Sequence, residues 1–252
     1  MFSLYRLELK TMVKSPSIMM PLVFPVILAF FYSTALTSTG QITAQNGYII
    51  LISMSGLSSG LMGFGFRFMN LKTSVLLRRI GASSLTKSQV LTACALSGLT
   101  LLCFQLLWSS TLWTSLSALD FGQFGSVSEG FAGNFHWIDV NYRFVIPGFI
   151  LLVFSSYTVG IMFLGISRNT NEFQMYVNIF FLLAMFLVIL IPSLRYTWLH
   201  YIAWFLPMFW AVDLMNMTVE TMELQQILFD VFIAFGMSTT AFIIGVKTLK
   251  FS

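Results

Sequence analysis

The chain has 252 residues, 57% of them hydrophobic and 9% charged, with 27 Phe and a mean hydropathy of +0.85. Soluble domains run near a quarter charged, so this chain has too little polar surface to cover a globule, and its solvent is mostly lipid. The formal charge of +4 then points to cations kept on the cytoplasmic side of a membrane rather than to nucleic acid.

The first residues, "MFSLYRLELKTMVK", place Phe2, Tyr5, Leu9, Met12 and Val13 at three- and four-residue steps, with Arg6, Lys10 and Lys14 on other faces. That pattern predicts an amphipathic helix over 1–15 lying on the inner leaflet. Ser15-Pro16 ends it, because the residue before a proline resists helical geometry. No apolar core directly follows Met1 and no small-residue cleavage site is present, so a cleaved secretory leader is not expected. A bilayer core of about 30 Å takes ~20 apolar residues of helix. Six stretches qualify, at about 18–38, 47–66, 90–113, 144–166, 173–194 and 227–246. In lipid the backbone must satisfy its own hydrogen bonds, which favours helices, and the alternation of a barrel strand is absent. The fold expected is a single all-α membrane domain over 1–252.

Charge orients it. With the N-terminus inside, the cytoplasmic segments hold Arg6, Lys10, Lys14, Arg67, Lys72, Arg78, Arg79, Lys87, Arg168, Lys247 and Lys250, and the outer loops hold only Arg143 and Arg195. This bias predicts that both ends are cytoplasmic. The stretch "LHYIAWFLPMFWAVDLMNM", 199–217, is apolar enough for a seventh span, but Pro207 interrupts it and Asp213 lies near its end. Counting it would also move Lys247 and Lys250 outside. It reads instead as a broken helix dipping into the outer interface, where Trp198, Tyr201, Trp204 and Trp210 suit headgroup depth. The longest polar-leaning loop, 114–143, is rich in Gly and aromatics and lies outside as well.

Convergent catalytic groups are missing. His136 and His200 have neither histidine nor carboxylate partners at metal-binding spacing. There is no nucleophile elbow and no phosphate-cradling glycine loop, so no metal, cofactor or ATP site is expected in this chain, and it is not expected to be an enzyme. Cys94 and Cys103, nine residues apart in one apolar run, fall on opposite sides of one helix and cannot bridge. Asp230 is the one ionisable residue within the spans and reads as an anchor near the outer interface rather than an ion relay. Gly56, Ser59, Gly60 and Gly63 form a small-residue region in the second span, suited to close helix packing, a dimer seam or a pathway wall. Ser155, Ser156, Tyr157 and Thr158 in the fourth span and Asn178 in the fifth offer hydrogen bonds either to a passing solute or to a neighbouring helix.

The loop between spans two and three is unusual. "LLRRIGASSLTKSQ", 76–89, carries Arg78, Arg79 and Lys87 and no anion, beside apolar Leu76, Leu77, Ile80 and Leu85. The inside rule explains the sign of these charges but not the amphipathic arrangement. Apolar knobs and arginine forks together suit a socket on a cytosolic partner.

The flat N-terminal helix, the six spans, the basic helix and the late "IAWFLPMFWAVDLMN" segment resemble, over essentially the whole chain, the ABC type-2 transporter permease family. That family's late motif, a Leu-Pro followed by small, aromatic and acidic positions, is matched by Leu206, Pro207, Phe209, Ala211, Val212, Asp213 and Leu214. Its basic helix is matched by Leu77, Arg78, Arg79, Ile80, Ala82 and Ser83, with Ser84 where a proline is common. The acidic and Gly-Thr positions that often open that helix are replaced by Lys72, Thr73, Ser74 and Val75. The resemblance implies a permease subunit of a bacterial ABC exporter in the plasma membrane. Leu77, Arg78, Arg79, Ile80, Ala82 and Ser83 would couple it to separate cytosolic ATPase subunits that bind ATP and Mg. A second permease copy or paralogue would complete the pathway, lined mainly by the second and fifth spans, for an amphiphilic drug, lipid or peptide. A reading from another class is a non-transporting membrane scaffold or immunity protein that binds partners through its loops.

Overall fold

In the computed structural model, residues 44–73, 87–118, 136–190, 198–217 and 224–249 are described, together with Arg6, Lys10, Val23, Val26 and Ile27. The segments expected as an interfacial helix (1–15), a first span (18–38) and a coupling helix (77–83) lie largely or wholly outside the described residues, as does most of the 114–143 loop. The described residues form helices and no strand. Helix α1 (Ala44–Ser58) passes through a π-helical segment (Ser59–Phe64) into α2 (Gly65–Thr73). Then come α3 (Lys87–Ala118), a 3-10 turn (Trp137–Asp139), α4 (Tyr142–Ile166) and α5 (Thr170–Leu190). Two short helices, α6 (Trp198–Ala203) and α7 (Pro207–Met215), precede α8 (Leu224–Thr248).

Among the described residues, four helices are long and apolar enough to cross a membrane: Gln45–Met69, Thr92–Ser115, Tyr142–Ile166 and Leu224–Thr248. Residues drawn from all round α1 are buried, and 89% of the most apolar window of Gln45–Met69 lies inside the molecule, against 22% for α8. Helix α1 is therefore the centre of the bundle, while α8 turns most of its surface outward, as a lipid-facing helix does.

Side-chain pairs fix the helix directions. Tyr48 Oη lies 3.1 Å from Ser110 Oγ, and Arg67 Nη1 donates to Ser97 Oγ at 3.1 Å, so α1–α2 and α3 run antiparallel. A β-carbon added to Gly56 would meet Leu152 and one added to Gly60 would collide with Ser156, so α1 and α4 run parallel. Ser155 Oγ lies 2.8 Å from Ser238 Oγ, and Gly165 abuts Thr248, so α4 and α8 are parallel too. Helix α5 reverses after a short link and packs Tyr176 and Phe180 on Phe163. A cap starts it: the Glu172 N–H donates to Asn169 Oδ1 at 2.8 Å, and Glu172 Oε2 accepts the Arg168 N–H at 2.9 Å. This satisfies donors that a helix start leaves over.

Helix α7 begins with Pro207 at its first turn, where no N–H is needed. The Trp210 indole N–H donates to the Trp204 carbonyl at 3.0 Å and holds the bend between α6 and α7. Helix α7 packs where α4 and α8 begin. Gly148 of α4 meets Met215 and the Ala211 carbonyl, and Trp210 lies edge-on to Phe229 of α8 at 5.6 Å. Nine residues of helix measure about 14 Å, half of a hydrocarbon core.

Candidate functional site

The interior of the bundle holds a polar seam where α1 meets α3 and α4. Serine is small enough to let backbones approach, and its hydroxyl can donate to a carbonyl of its own helix, so it enters a lipid-bound core at little cost. Ser53 and Ser55 do this, donating to the Ile49 and Leu51 carbonyls at 2.7 and 3.1 Å. Ser55 Oγ also meets Ser109 Oγ at 3.1 Å, and Gln105 Nε2 of α3 reaches Ser58 Oγ at 3.4 Å. The π segment then redirects the next residues. Ser59 donates to the Gly98 carbonyl of α3 at 3.2 Å, while Gly60 turns to α4. A β-carbon on Gly60 would collide with both the backbone and the side chain of Ser156, and one on Gly160 would stand 3.0 Å from the Gly60 carbonyl oxygen. Tyr157 stacks on Phe64 at 5.2 Å with its hydroxyl 3.5 Å from Ser59 Oγ.

Of the small residues singled out from the sequence, Gly56, Ser59, Gly60 and Gly63 are thus gathered in this seam, packed against α3 and α4 of the same chain. The serines of the fourth span bond neighbouring helices: Ser155 meets Ser238 of α8, and Ser156 donates to the Gly56 carbonyl at 3.2 Å. Asn178 stands apart, exposed on α5. Pro207 is buried at the start of α7 and Asp213 is half-buried further along it. Cys94 is buried and Cys103 exposed, as opposite faces of α3 require. Arg67, counted from the sequence among the cations of the cytoplasmic segments, is part of α2 and half-buried, bonded to Ser97.

Asp230, read from the sequence as an anchor near the outer interface, is buried within the protein. Its side chain is buried, 1% exposed, and neither carboxylate oxygen has a hydrogen-bond partner among the described residues. It lies two turns into α8. The offset that joins Ser155 to Ser238 brings it to the level of Pro147 in α4. Helix α7 folds back over this end of α4 and α8, and Asp213 on α7 comes within electrostatic range of Asp230. Linear sequence gives depth along a helix but not what folds over it, so this burial was not legible there.

At the same end a cavity of about 590 Å³ is lined by Gln45 and Asn46 of α1, Asp139 of the 3-10 turn, Arg143 of α4 and Asn216 after α7, among others. Its wall mixes amides with one charge of each sign, which suits a polar solute or ordered water. Among the described residues no three His, Cys, Asp or Glu side chains converge as metal ligands would. No protein-family model, curated protein or solved structure matches the chain.

Proposed function

We propose that the chain is the membrane-spanning permease subunit of an ATP-driven ABC exporter. On this reading it has six spans with both termini in the cytoplasm of a bacterial cell, a flat N-terminal helix, and a coupling helix at residues 77–83 seated in a separate ATPase subunit. The observation that carries it is the helix course. Helices α4 and α8 run the same way with α5 between them running back, and the short broken pair α6–α7 returns the chain to the end where α8 begins. A late segment that dips and turns back before the last span is what the resemblance calls for. The unbalanced cations Arg78 and Arg79 beside Leu77 and Ile80 add to it. On this reading the work arrives through that basic helix from the ATPase subunit. Two permeases, identical or paralogous, would enclose the pathway between them for an amphiphilic cargo.

The test is purification from native membranes in mild detergent. An ATPase subunit is expected to co-purify in stoichiometric amount, and Arg78→Glu with Arg79→Glu is expected to leave the chain inserted while abolishing both that association and transport. Wild-type transport by the double variant rejects the reading. A cysteine placed at Asp213 is expected to react from the outer side, and reaction from the cytoplasmic side alone rejects the topology.

A further inference from the structure

The register that sets Gly56 against Leu152 and Gly60 against Ser156 brings Gln45 level with Asn141. Gln45 opens one helix long enough to cross a membrane and Asn141 caps the start of another, so the cavity they line lies where the two begin together. In a chain that crosses a bilayer, that is headgroup depth. Trp137 and Tyr142 are exposed beside it, as interfacial aromatics are. Trp137 also lies edge-on to Tyr48 at 5.3 Å and holds the 3-10 turn, with Asp139, against α1. Asp139 and Arg143 both line the cavity, and no ion pair joins them. Gln45 and Asn141 likewise hold no side-chain hydrogen bond among the described residues. Two amides and two opposite charges therefore line one space without spending their bonds on each other. Ile138, 89% exposed, adds an apolar edge to the same wall. Such a wall fits a ligand with an anion, a cation and an apolar part, and a bilayer supplies one at this depth. An arginine fork binds phosphate through paired N–H groups, and a primary ammonium brings three donors for carboxylate and amide oxygens.

We infer that this cavity is a headgroup site for a zwitterionic phospholipid with a primary amine, of the phosphatidylethanolamine type. Arg143 takes the phosphate and Asp139 the ammonium. The amides of Gln45 and Asn141 complete the hydrogen bonds, and the acyl chains leave past Ile138. A choline headgroup has no N–H to give Asp139, and a glycerol headgroup has no cation, so the site discriminates by charge and by donor. The inference rests on α1 and α4 crossing the membrane and does not depend on the exporter reading.

The experiment is native mass spectrometry of the purified, delipidated full-length chain in mild detergent. Phosphatidylethanolamine, phosphatidylcholine and phosphatidylglycerol with identical acyl chains are titrated in turn. Phosphatidylethanolamine is expected to bind severalfold more tightly than either of the others. Asp139→Asn is expected to erase that preference without weakening phosphatidylglycerol, and Asp139→Glu to retain it. Arg143→Gln is expected to weaken all three lipids severalfold. Both side chains are exposed, so the variants should keep the monodisperse peak of the wild type on size exclusion. Equal binding of the three lipids by the wild-type chain overturns the proposal, as does a preference that survives both Asp139→Asn and Arg143→Gln. Soluble glycerophosphoethanolamine at matched concentration is expected to leave the lipid bound. Displacement by it would assign the cavity to a soluble zwitterion and overturn the lipid assignment.

Discussion

The α1–α4 seam and the α4–α7–α8 corner both bring helix backbones together over glycine, at Gly60 with Gly160 in one and at Gly148 in the other. They treat polar groups in opposite ways. In the seam, Ser55, Ser58, Ser59 and Ser156 each hold a hydrogen bond, several of them within one helix. At the corner, Asp230 is equally buried and neither of its oxygens has a partner among the described residues. A hydroxyl that bonds its own helix stays satisfied whether or not its neighbour moves, so the seam suits a permanent joint. A buried carboxylate without such a bond carries a desolvation cost that a self-bonded hydroxyl does not.

The largest effect that would break this contrast is in the seam. Gly60→Leu forces a side chain into the Ser156 backbone and is expected to destabilise by about 3 kcal/mol or more. The protein should lose its monodisperse peak on fluorescence-detected size exclusion, and an unchanged peak and Tm would mean the seam is not tightly closed. Gly148→Ala, at the corner, should cost less, about 1–3 kcal/mol, because α7 can lift away from the Ala211 carbonyl and Met215. Adding Met215→Ala should recover part of the lost Tm, and simple additivity of the two changes would count against direct packing. Asp230→Leu should raise stability by about 1–3 kcal/mol, since it removes a buried carboxylate that has no hydrogen-bond partner among the described residues. A fall in Tm would instead reveal a partner for Asp230. The smallest effect is the Ser155–Ser238 pair, for which a double-alanine cycle should give a coupling near 0.6 kcal/mol. A coupling of zero would mean each hydroxyl bonds its own helix instead.

Much of the fold was legible because lipid leaves the backbone few choices. Apolar runs of about twenty residues must become helices there, and the described residues are helical throughout their long elements. The opposition of Cys94 and Cys103 needed only the 3.6-residue turn. The candidate sites were legible in part. Gly56 and Gly60 declared close packing by their spacing, but the helix they would meet was not written in it. Ser155 and Ser156 had two readings from sequence, and contact with Ser238 and Gly56 chose between them. The π segment at Ser59–Phe64 has no marker beyond its small residues, and it is what sends Ser59 to α3 and Gly60 to α4.

The sequence by itself determined the solvent of this protein, its helical class and the faces of its helices, because each depends on the run and period of residues along one segment. Only the tertiary structure decided that α1 lies at the centre, that α4 and α8 run parallel, and that α7 closes over Asp230. Those outcomes depend on which distant segments meet, and a residue's cost in lipid is set by the neighbours it meets rather than by its place along its own helix.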